Sequence, residues 1–353
     1  MIPVPVRDDL RALEGYHSPQ VHVRVRLNTN ESPTPPPAAW RDAFAAELSR
    51  VEWHRYPDRA ATELRQAIAD LHGVSPAQVF AANGSNEVLQ TLLLTYAGPG
   101  RSVATFEPTY QLHGYIARLT GATVVEGERA PDFTLDLAEV RRVITHAQPM
   151  VTFLCSPNNP TGLEEPEANV RAVLAMVPGV LVVDEAYGQF ASWSALGMIS
   201  EDLPLVVTRT FSKTWSMAGT RLGYLVGPSW LVAELDKVVL PYHLDVAKQI
   251  AGRLALRFVD DMESRVSTLI AERERLVQRM SALALEVFPS GANFVLFRPT
   301  AMAGRDVWQQ LVDRSILIRD CSGWPRLENC LRITIGTAEE NDALMAALEE
   351  IVR

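Results

Sequence analysis

Short apolar segments alternate with amphipathic segments over the first two thirds of the chain. Between residues 87 and 96 the apolar side chains recur three and four positions apart, which predicts a helix that ends at the glycines of 98–100. Similar periodicity predicts a helix at 64–71, and another helix is expected near 38–50, after the prolines at 33–37. Runs of β-branched residues between turn-forming residues predict strands at QVFAA, SVATF, ATVVE, MVTFLC, VLVVD, LVVTRT and LGYLVG. Alternating strands and helices indicate an α/β fold with a mostly parallel sheet covered on both faces.

The pattern changes after the sequence LPYH at 240–243. Two long helical segments are predicted at about 245–259 and 261–285, and the strand-like runs NFVLF, ILIR and LRITI follow them, with helices between and after. These elements indicate a second, smaller α/β domain. We therefore expect an N-terminal arm over 1–29, a large domain over 30–239 and a small C-terminal domain over 240–353.

The composition fits an ordinary globular protein and narrows its function. The chain has 353 residues, 47% of them hydrophobic, and a formal net charge of -9. An acidic chain without a basic run does not favour a nucleic-acid or anionic-membrane surface as the main function. The three cysteines form no C-x-x-C pair, the histidines have no metal-site spacing, and the N-terminus lacks the apolar segment of a signal peptide. We expect a cytoplasmic protein without a disulfide framework or metal site.

Polar residues that could bind a ligand follow several predicted strands. Asp184 ends an apolar strand, where a carboxylate either caps the next segment or meets a cation. Asn158 lies in the turn SPNNPTG at the end of another strand, the edge of an open α/β sheet at which ligands bind. The sequence NGSNE leads into a helix, whose first amides can bind an anion. Each signal is weak by itself, since turn chemistry also explains it.

The segment TRTFSKTWSMAGTRLGYLVG adds a lysine and an arginine to this set. Lys213 lies between two predicted strands with the hydroxyls of Thr210 and Ser212, and Arg221 could reach the same anion. A reactive amine, an anion cradle and an acidic partner for a ring nitrogen are the groups that pyridoxal phosphate requires. The whole set, in this order on alternating strands, predicts a pyridoxal-phosphate site.

Over nearly its whole length the chain resembles the fold type I aminotransferases, and within them the histidinol-phosphate branch. The resemblance rests on LNTNE, RYPD, NGSNE, EPTY, SPNNPTG, VVDEAY, TFSK with GTRLGY, SGANFVLF, and LIRD with LRITIGT. It implies a large domain with a mostly parallel sheet and a smaller α/β domain. It also implies a homodimer with shared active sites that acts on a small-molecule amino donor and a keto acid.

The resemblance also implies roles for individual residues around the cofactor. Lys213 would be the Schiff-base lysine and proton shuttle, Asp184 would pair with the pyridine nitrogen, and Tyr110 would stack on the ring. Asn158 and Tyr187 would hydrogen-bond the phenolic oxygen of the ring. The residues implied for the cofactor phosphate are Ser85, Asn86, Thr210, Ser212 and Arg221, with Tyr56 reaching it from the partner subunit.

Further residues are implied for the substrate. Arg319 and Arg332, on two predicted strands of the small domain, would hold its anionic tail, because a guanidinium binds phosphate and carboxylate in a bidentate manner. The alternative is an exposed strand face with salt bridges. Tyr16 in the arm matches a family position that contacts the substrate phosphate. The alternative is that Tyr16 is an ordinary surface tyrosine. Asn158 is also expected near the substrate.

The expected reaction is amino transfer between L-histidinol phosphate and 2-oxoglutarate in histidine biosynthesis, by a ping-pong cycle. An aminotransferase for aromatic or other amino acids would share every cofactor residue. A phospho-amino-acid decarboxylase on the same scaffold would release carbon dioxide without needing a keto acid, and a non-catalytic pyridoxal-phosphate-binding protein is a third alternative. The proline-rich run at 32–37 departs from the family pattern near the substrate entrance, so the substrate follows less directly from the resemblance than the reaction does.

Overall fold

The computed structural model describes residues 4–11, 13, 15 and 21–352. In chain order the strands are β1 (Val25–Leu27), β2 (Val79–Ala82), β3 (Ser102–Glu107), β4 (Thr123–Glu128), β5 (Val151–Cys155), β6 (Val180–Asp184), β7 (Leu205–Thr210), β8 (Gly223–Val226), β9 (Leu285–Val287), β10 (Phe294–Pro299), β11 (Ile316–Asp320) and β12 (Leu331–Thr334). The helices are α1 (Ala38–Leu48), α2 (Thr62–His72), α3 (Ser85–Tyr96), α4 (Leu112–Leu119), α5 (Leu137–Ala147), α6 (Glu167–Leu174), α7 (Ser229–Val238), α8 (Val246–Ala255), α9 (Val259–Met280), α10 (Gly304–Asp313) and α11 (Ala338–Ile351).

The larger sheet has the strand order β2-β8-β7-β6-β5-β3-β4. Strands β7, β6, β5, β3 and β4 run parallel, whereas β8 is antiparallel to both of its neighbours. Within β6, Val180 and Val182 pack with the core under α3, α4 and α7, and Leu181 and Val183 pack with the core under α5 and α6. Burial on both faces explains why the sequence of this strand is continuously apolar.

The smaller sheet has the order β1-β11-β12-β10-β9. Strand β1 pairs in parallel with β11, and the other neighbours are antiparallel. The end of the predicted arm is thus built into the same sheet as the C-terminal strands, so the arm joins the start of the chain to the C-terminal region. The domain limits at residues 29 and 239 stay predictions.

Most predicted elements are present, with differences at their ends. The helix predicted at 261–285 begins at Val259 and ends at Met280, because Leu285 pairs with Pro299 of β10 as part of the short strand β9. The helix predicted at 245–259 ends at Ala255. Among the described residues, no helix is both long and apolar enough to cross a membrane.

The arrangement of the two sheets determines where a site can form. In the larger sheet the carboxyl ends of β5, β6 and β7 lie side by side, which is where ligands bind in open α/β sheets. The smaller sheet contributes β11 and β12, whose residues Arg319 and Arg332 are direct partners across the strand pair.

Candidate active site

A cavity of about 310 Å³ lies between the two sheets. Most of the predicted site residues line it: Ser85, Asn86, Tyr110, Asp184, Tyr187, Thr210, Ser212, Lys213, Arg221, Arg319 and Arg332. They come from the ends of the parallel strands, the start of α3 and two strands of the smaller sheet. The structure therefore brings together residues that are up to 247 positions apart, from Ser85 to Arg332.

Lys213 lies in the loop between β7 and β8, and its side chain forms part of the cavity wall. Its Nζ donates a hydrogen bond of 3.0 Å to the carbonyl oxygen of Thr29 and lies 5.7 Å from the centre of the Tyr187 ring. Burial, together with the positive charges of Arg332 and Arg221, lowers the pKa of Lys213 to about 7, although Glu31 opposes the shift. Near neutral pH a large share of these amines is uncharged and able to accept a proton.

Asp184 ends β6 and is 1% exposed. Its Oδ2 lies 2.9 Å from Nε2 of His113, and its Oδ1 accepts from the backbone N–H of Ala186. The His113 ring is fully buried and stacks on Phe153 with ring centres 4.4 Å apart, so it cannot turn away from the carboxylate. Asp184 is therefore held in one orientation at the edge of the cavity.

An anion cradle forms where α3, β7 and the loop before β8 meet. The first-turn amides of α3, at Ser85 and Asn86, have no acceptor within the helix. The Thr210 hydroxyl donates to Ser212 Oγ at 3.0 Å, and Arg221 Nη1 donates to the same oxygen at 3.3 Å. A helix N-terminus, two hydroxyls and a guanidinium that converge in this way suit a phosphate group.

A glycine permits this close approach. A Cβ atom at Gly223, the first residue of β8, would lie 2.3 Å from the backbone nitrogen of Ser85. Any larger residue would push β8 away from the start of α3 and open the cradle. Gly84, the residue before α3, has φ of 80° and would place a Cβ 2.8 Å from the Arg221 guanidinium. The strained backbone and the lack of space both favour glycine there.

Tyr110 forms one aromatic wall of the cavity. Its ring meets the His113 ring edge-on, with centres 5.3 Å apart, and its hydroxyl donates to Asn86 Oδ1 at 3.4 Å. These contacts fix the ring plane next to Asp184 and the start of α3. A flat aromatic ligand between Asp184 and the cradle would have this ring on one face.

The structure corrects the choice between two adjacent asparagines. Asn158 is fully buried and does not line the cavity, because its amide donates to Pro108 O and Thr161 Oγ1 and accepts from Thr109. Asn159 lines the cavity, and its Oδ1 accepts from Arg332. The turn at SPNNPTG thus uses Asn158 to shape the loop and places Asn159 at the site.

Arg332 and Arg319 form a pair of cations on one face of the smaller sheet. Arg332 is 5% exposed, its Nη2 donates to Asn28 O at 3.0 Å, and its Nε has no hydrogen-bond partner among the described residues. Arg319 lies directly opposite, with its guanidinium 5.7 Å from the ring centre of Trp324. Like charges placed opposite each other are unfavourable, so this face is suited to an anion.

Two further predicted site residues are Tyr56 and Tyr16. Tyr56 is 80% exposed and stacks on Tyr242 with ring centres 4.5 Å apart, and it does not line the cavity of its own chain. Tyr16 is outside the described residues. Their proposed contacts therefore stay predictions.

Several residues at the site were not predicted from the sequence, and four of them have side chains that matter to its geometry. They are Asn30, His113, Asn159 and Trp324. His113 lies on the buried face of α4 with Ile116 and Ala117. A buried polar side chain needs a hydrogen-bond partner, so a histidine in this apolar stripe indicates that such a partner exists. Nothing local in the sequence indicates that this partner is Asp184, 71 positions away.

The lining fits pyridoxal phosphate in the chemistry of its donor groups. The cradle supplies donors for a phosphate, Asp184 supplies an acceptor for a ring N–H, and Tyr110 supplies a ring face. Lys213 supplies the amine, and the arginine pair supplies a second, separate anion site. The Nε of buried Arg332, which has no partner in the part of the chain that the structure describes, is a donor that a bound carboxylate or phosphate could satisfy.

Comparisons with known proteins agree with this chemistry. The family model "Aminotransferase class I and II" matches residues 23–348. Histidinol-phosphate aminotransferase from Mycobacterium marinum is 45% identical over 358 residues, which cover 99% of this chain and 92% of the relative. The enzyme of the same name from Thermobifida fusca is 46% identical over 354 residues, covering 98% and 95%.

Solved structures give the same fold. The crystal structure of histidinol-phosphate aminotransferase from Sinorhizobium meliloti in complex with pyridoxal-5'-phosphate has a TM-score of 0.89 and 24% sequence identity, and the match covers 98% of this chain and 97% of that chain. The predicted fold type I class, the aminotransferase activity and the pyridoxal phosphate cofactor are confirmed. The chain belongs to the class I and II aminotransferase family.

Proposed function

We propose that the protein transfers an amino group reversibly between L-histidinol phosphate and 2-oxoglutarate, giving imidazole acetol phosphate and L-glutamate, as a step of histidine biosynthesis. The observation that carries this proposal is the Arg319–Arg332 pair beside Lys213 in one cavity. Relatives 45% and 46% identical over nearly the whole chain carry the name histidinol-phosphate aminotransferase. A cytoplasmic location stays a prediction from the sequence.

The cofactor would be held by the groups that surround the cavity. Its phosphate would bind the start of α3, Thr210, Ser212 and Arg221, and its ring would lie against Tyr110. Asp184, oriented by His113, would accept the ring N–H, while Asn159 and Tyr187 would bond the phenolic oxygen. Asn159 takes the place that the sequence prediction gave to Asn158. When bound, pyridoxal phosphate supplies an electron-withdrawing ring that stabilises negative charge on the substrate α-carbon.

Lys213 would move the proton. With a pKa lowered to about 7 by burial and by Arg332, its Nζ can accept the proton of the substrate α-carbon and return it to another carbon nearby. A positioned base of this kind contributes about 10²–10⁴-fold to a rate. The carbonyl of Thr29 is an acceptor that holds the amine in place between these transfers.

The arginine pair would serve both substrates of a ping-pong cycle. Histidinol phosphate brings a phosphate and glutamate brings a side-chain carboxylate, and the guanidinium group binds both kinds of anion. Because Arg332 is buried and anchored on Asn28, it would define the position of the anion. Arg319, which also contacts Trp324, would complete the binding of the larger phosphate.

A donor screen tests the proposed substrate. The holoenzyme is mixed with histidinol phosphate, phenylalanine or glutamate, and the loss of the cofactor's visible band is followed in single turnovers. We expect the highest kcat/KM with histidinol phosphate. A large preference for phenylalanine would favour the aromatic alternative, and carbon dioxide release without a keto acid would favour the decarboxylase.

We also propose a homodimer in which each active site uses Tyr56 of the partner subunit. Tyr56 and Tyr242 form an exposed aromatic patch, and the side chains of Trp53, Val238 and Leu240, close to them in sequence, are exposed as well. Exposed patches of this kind mark interaction surfaces. The stacked Tyr56 and Tyr242 rings leave a rigid aromatic surface for a second copy of the chain.

Mixed dimers test this shared site. A Lys213→Ala chain and a Tyr56→Ala chain are each weakly active or inactive, but a mixed dimer contains one site with both residues intact if Tyr56 acts across the interface. We expect activity to appear on mixing and to depend on subunit exchange. If mixing restores nothing although the chains form dimers, Tyr56 does not act on the partner site.

A further inference from the structure

Asn30 has the geometry of a residue that positions the site rather than one that only fills space. It directly follows Thr29, whose carbonyl accepts from Lys213, and it is 1% exposed. Its backbone has φ of 55°, a left-handed conformation that Asn tolerates better than most residues. This turn places the carbonyl of Thr29 toward Lys213 and the Asn30 side chain toward Tyr187.

The Asn30 side chain contacts the hydroxyl of Tyr187. Asn30 Nδ2 donates to Tyr187 Oη at 2.9 Å in a fully buried environment. Thr334 of β12 fixes the oxygen end of the amide, because its hydroxyl group donates a hydrogen bond to Asn30 Oδ1 at 3.1 Å. The oxygen of the same hydroxyl accepts a hydrogen bond from the Asn30 backbone N–H at 2.9 Å. Because Thr334 gives its proton to Oδ1, the NH2 group is the end that faces Tyr187.

The Asn30 NH2 group determines where the Tyr187 hydroxyl can donate its proton. A phenol has one proton to donate, and its oxygen accepts the hydrogen bond from Asn30. The Tyr187 proton is then left for an acceptor other than Asn30. Burial raises the pKa of Tyr187 to about 12, so the hydroxyl keeps this proton at neutral pH.

Asn30 is itself held by the smaller sheet. Besides the two bonds to Thr334, its carbonyl oxygen accepts from Asn293 Nδ2 at 3.2 Å. Asn293 directly precedes β10, and Thr334 ends β12, so one buried residue connects two strands of the smaller sheet with Tyr187 and, through Thr29, with Lys213.

We propose that Asn30 is a positioning residue of the transamination site, whose amide directs the Tyr187 hydroxyl so that its proton is donated to the phenolic oxygen of the cofactor. The inference rests on the proposed function, in which Tyr187 bonds that oxygen. If Asn30 were only structural, its loss would lower stability without a specific effect on the cofactor.

The pH titration of the cofactor's visible band in the holoenzyme gives a readout that is independent of turnover. A hydrogen bond to the phenolic oxygen stabilises the negative charge that this oxygen carries in the deprotonated form of the bound cofactor. Loss of that hydrogen bond therefore raises the midpoint of the pH titration. The charged and titratable groups that face Lys213 and Tyr187 are Arg332, Arg221, Glu31, Asp184 and Cys155. None of them is changed in the variants.

The main variant is Asn30→Gly, which removes the amide and accepts the positive φ without strain. We expect its midpoint to rise by about 0.5–1 pH unit, the size of one neutral hydrogen bond. Asn30→Asp, which nearly keeps the shape but presents only acceptors to Tyr187, should raise the midpoint at least as much. Tyr187→Phe should raise it too, and adding Asn30→Gly to Tyr187→Phe should produce no further rise.

The matched control is Asn341→Ala. Asn341 is another fully buried asparagine, with hydrogen bonds to Gly336 and Glu272, and it lies outside the cavity lining. This variant should melt at a lower temperature and keep the wild-type midpoint. If Asn341→Ala shifts the midpoint as much as Asn30→Gly does, general loosening explains the effect and the inference fails.

Two further outcomes would overturn the inference. One is an Asn30→Gly holoenzyme that is folded and has the wild-type midpoint. The other is a rise that adds fully to that of Tyr187→Phe, because Asn30 would then act without Tyr187. In both cases the donor screen and the proposed reaction are unaffected. An unshifted Tyr187→Phe would remove both the inference and the proposed role of Tyr187.

Discussion

The amine of Lys213 should make the folded protein less stable when no cofactor is bound. Burial and the nearby Arg332 lower its pKa from 10.5 to about 7. The unfolded chain therefore holds a proton more tightly than the folded chain does, and this difference opposes folding at neutral pH. Lys213→Met replaces the ammonium with an uncharged, flexible side chain and should stabilise the apoenzyme.

The size of the change in the free energy of unfolding follows from the pKa shift of Lys213. At about 1.36 kcal/mol per pKa unit, the full difference corresponds to roughly 4 kcal/mol at pH 7. Lys213 is only partly buried, so solvent screening reduces this to roughly 2 kcal/mol. For a chain of this size we expect Lys213→Met to raise the Tm of the apoenzyme by roughly 3 °C.

The stability difference between the wild type and Lys213→Met should depend on pH in a definite direction. Below about pH 7 the lysine is protonated in both the folded and the unfolded chain, so the penalty is complete and constant. Between about pH 7 and 10.5 only the unfolded chain keeps the proton, so the stability of the wild type rises towards that of Lys213→Met. Above pH 10.5 this contribution is gone.

Calorimetry of the cofactor-free proteins at equal concentration, from pH 6 to above pH 10, measures this difference. The control is Lys237→Met, whose side chain is 67% exposed, and it should give a small difference without this pH dependence. A Lys213→Met difference that stays constant between pH 7 and 10.5, or a wild type that is the more stable protein at pH 7, would refute the reasoning.

Four other changes have definite expected outcomes. Lys213→Ala should abolish turnover and the visible band of the bound cofactor; an unchanged yellow enzyme would contradict its role. Asp184→Asn should keep part of the cofactor and lose about 10²-fold or more in kcat, because the ring nitrogen loses its charged partner; near-normal turnover would argue against it. His113→Phe should keep the stacking on Phe153 and lower kcat by about tenfold through a mobile Asp184; an unchanged kcat would show that the carboxylate does not need the histidine. Arg332→Ala should raise KM for both substrates by about tenfold or more, whereas Arg305→Ala, 65% exposed on α10, should change neither; an effect on neither substrate in Arg332→Ala would remove it from the site.

The predictable part of the fold is the part with a strong local pattern. Strands β5, β6 and β7 are continuous apolar runs because both faces of the sheet are covered, and the sequence locates them to within a residue or two. Strands β1 and β9 have three residues each, too few to give a period, and they exist because β11 and β10 offer them hydrogen bonds. Their presence is a tertiary effect that no local window contains.

The same distinction holds at the site. Lys213, Asp184 and the cradle follow strands of the larger sheet or open α3, and their positions could be predicted from motif and strand order. The choice between Asn158 and Asn159 depends on how the turn places each side chain, and two adjacent asparagines look alike in sequence. Asn30 depends on its positive φ and on a partner, Tyr187, 157 positions away.

The charges of the cavity link substrate binding to the base. The chain is acidic overall, yet Lys213, Arg221, Arg319 and Arg332 line the cavity. After burial, Arg332 is the largest cause of the lowered pKa of Lys213. An anion bound to Arg332 neutralises that charge and should raise the pKa of Lys213 again, which makes its Nζ a stronger base once substrate is present. Without substrate, a large share of the amine would therefore be uncharged near neutral pH. In the proposed reaction, the anion of the substrate would increase the basicity of this amine at the stage when a proton must be taken from the α-carbon.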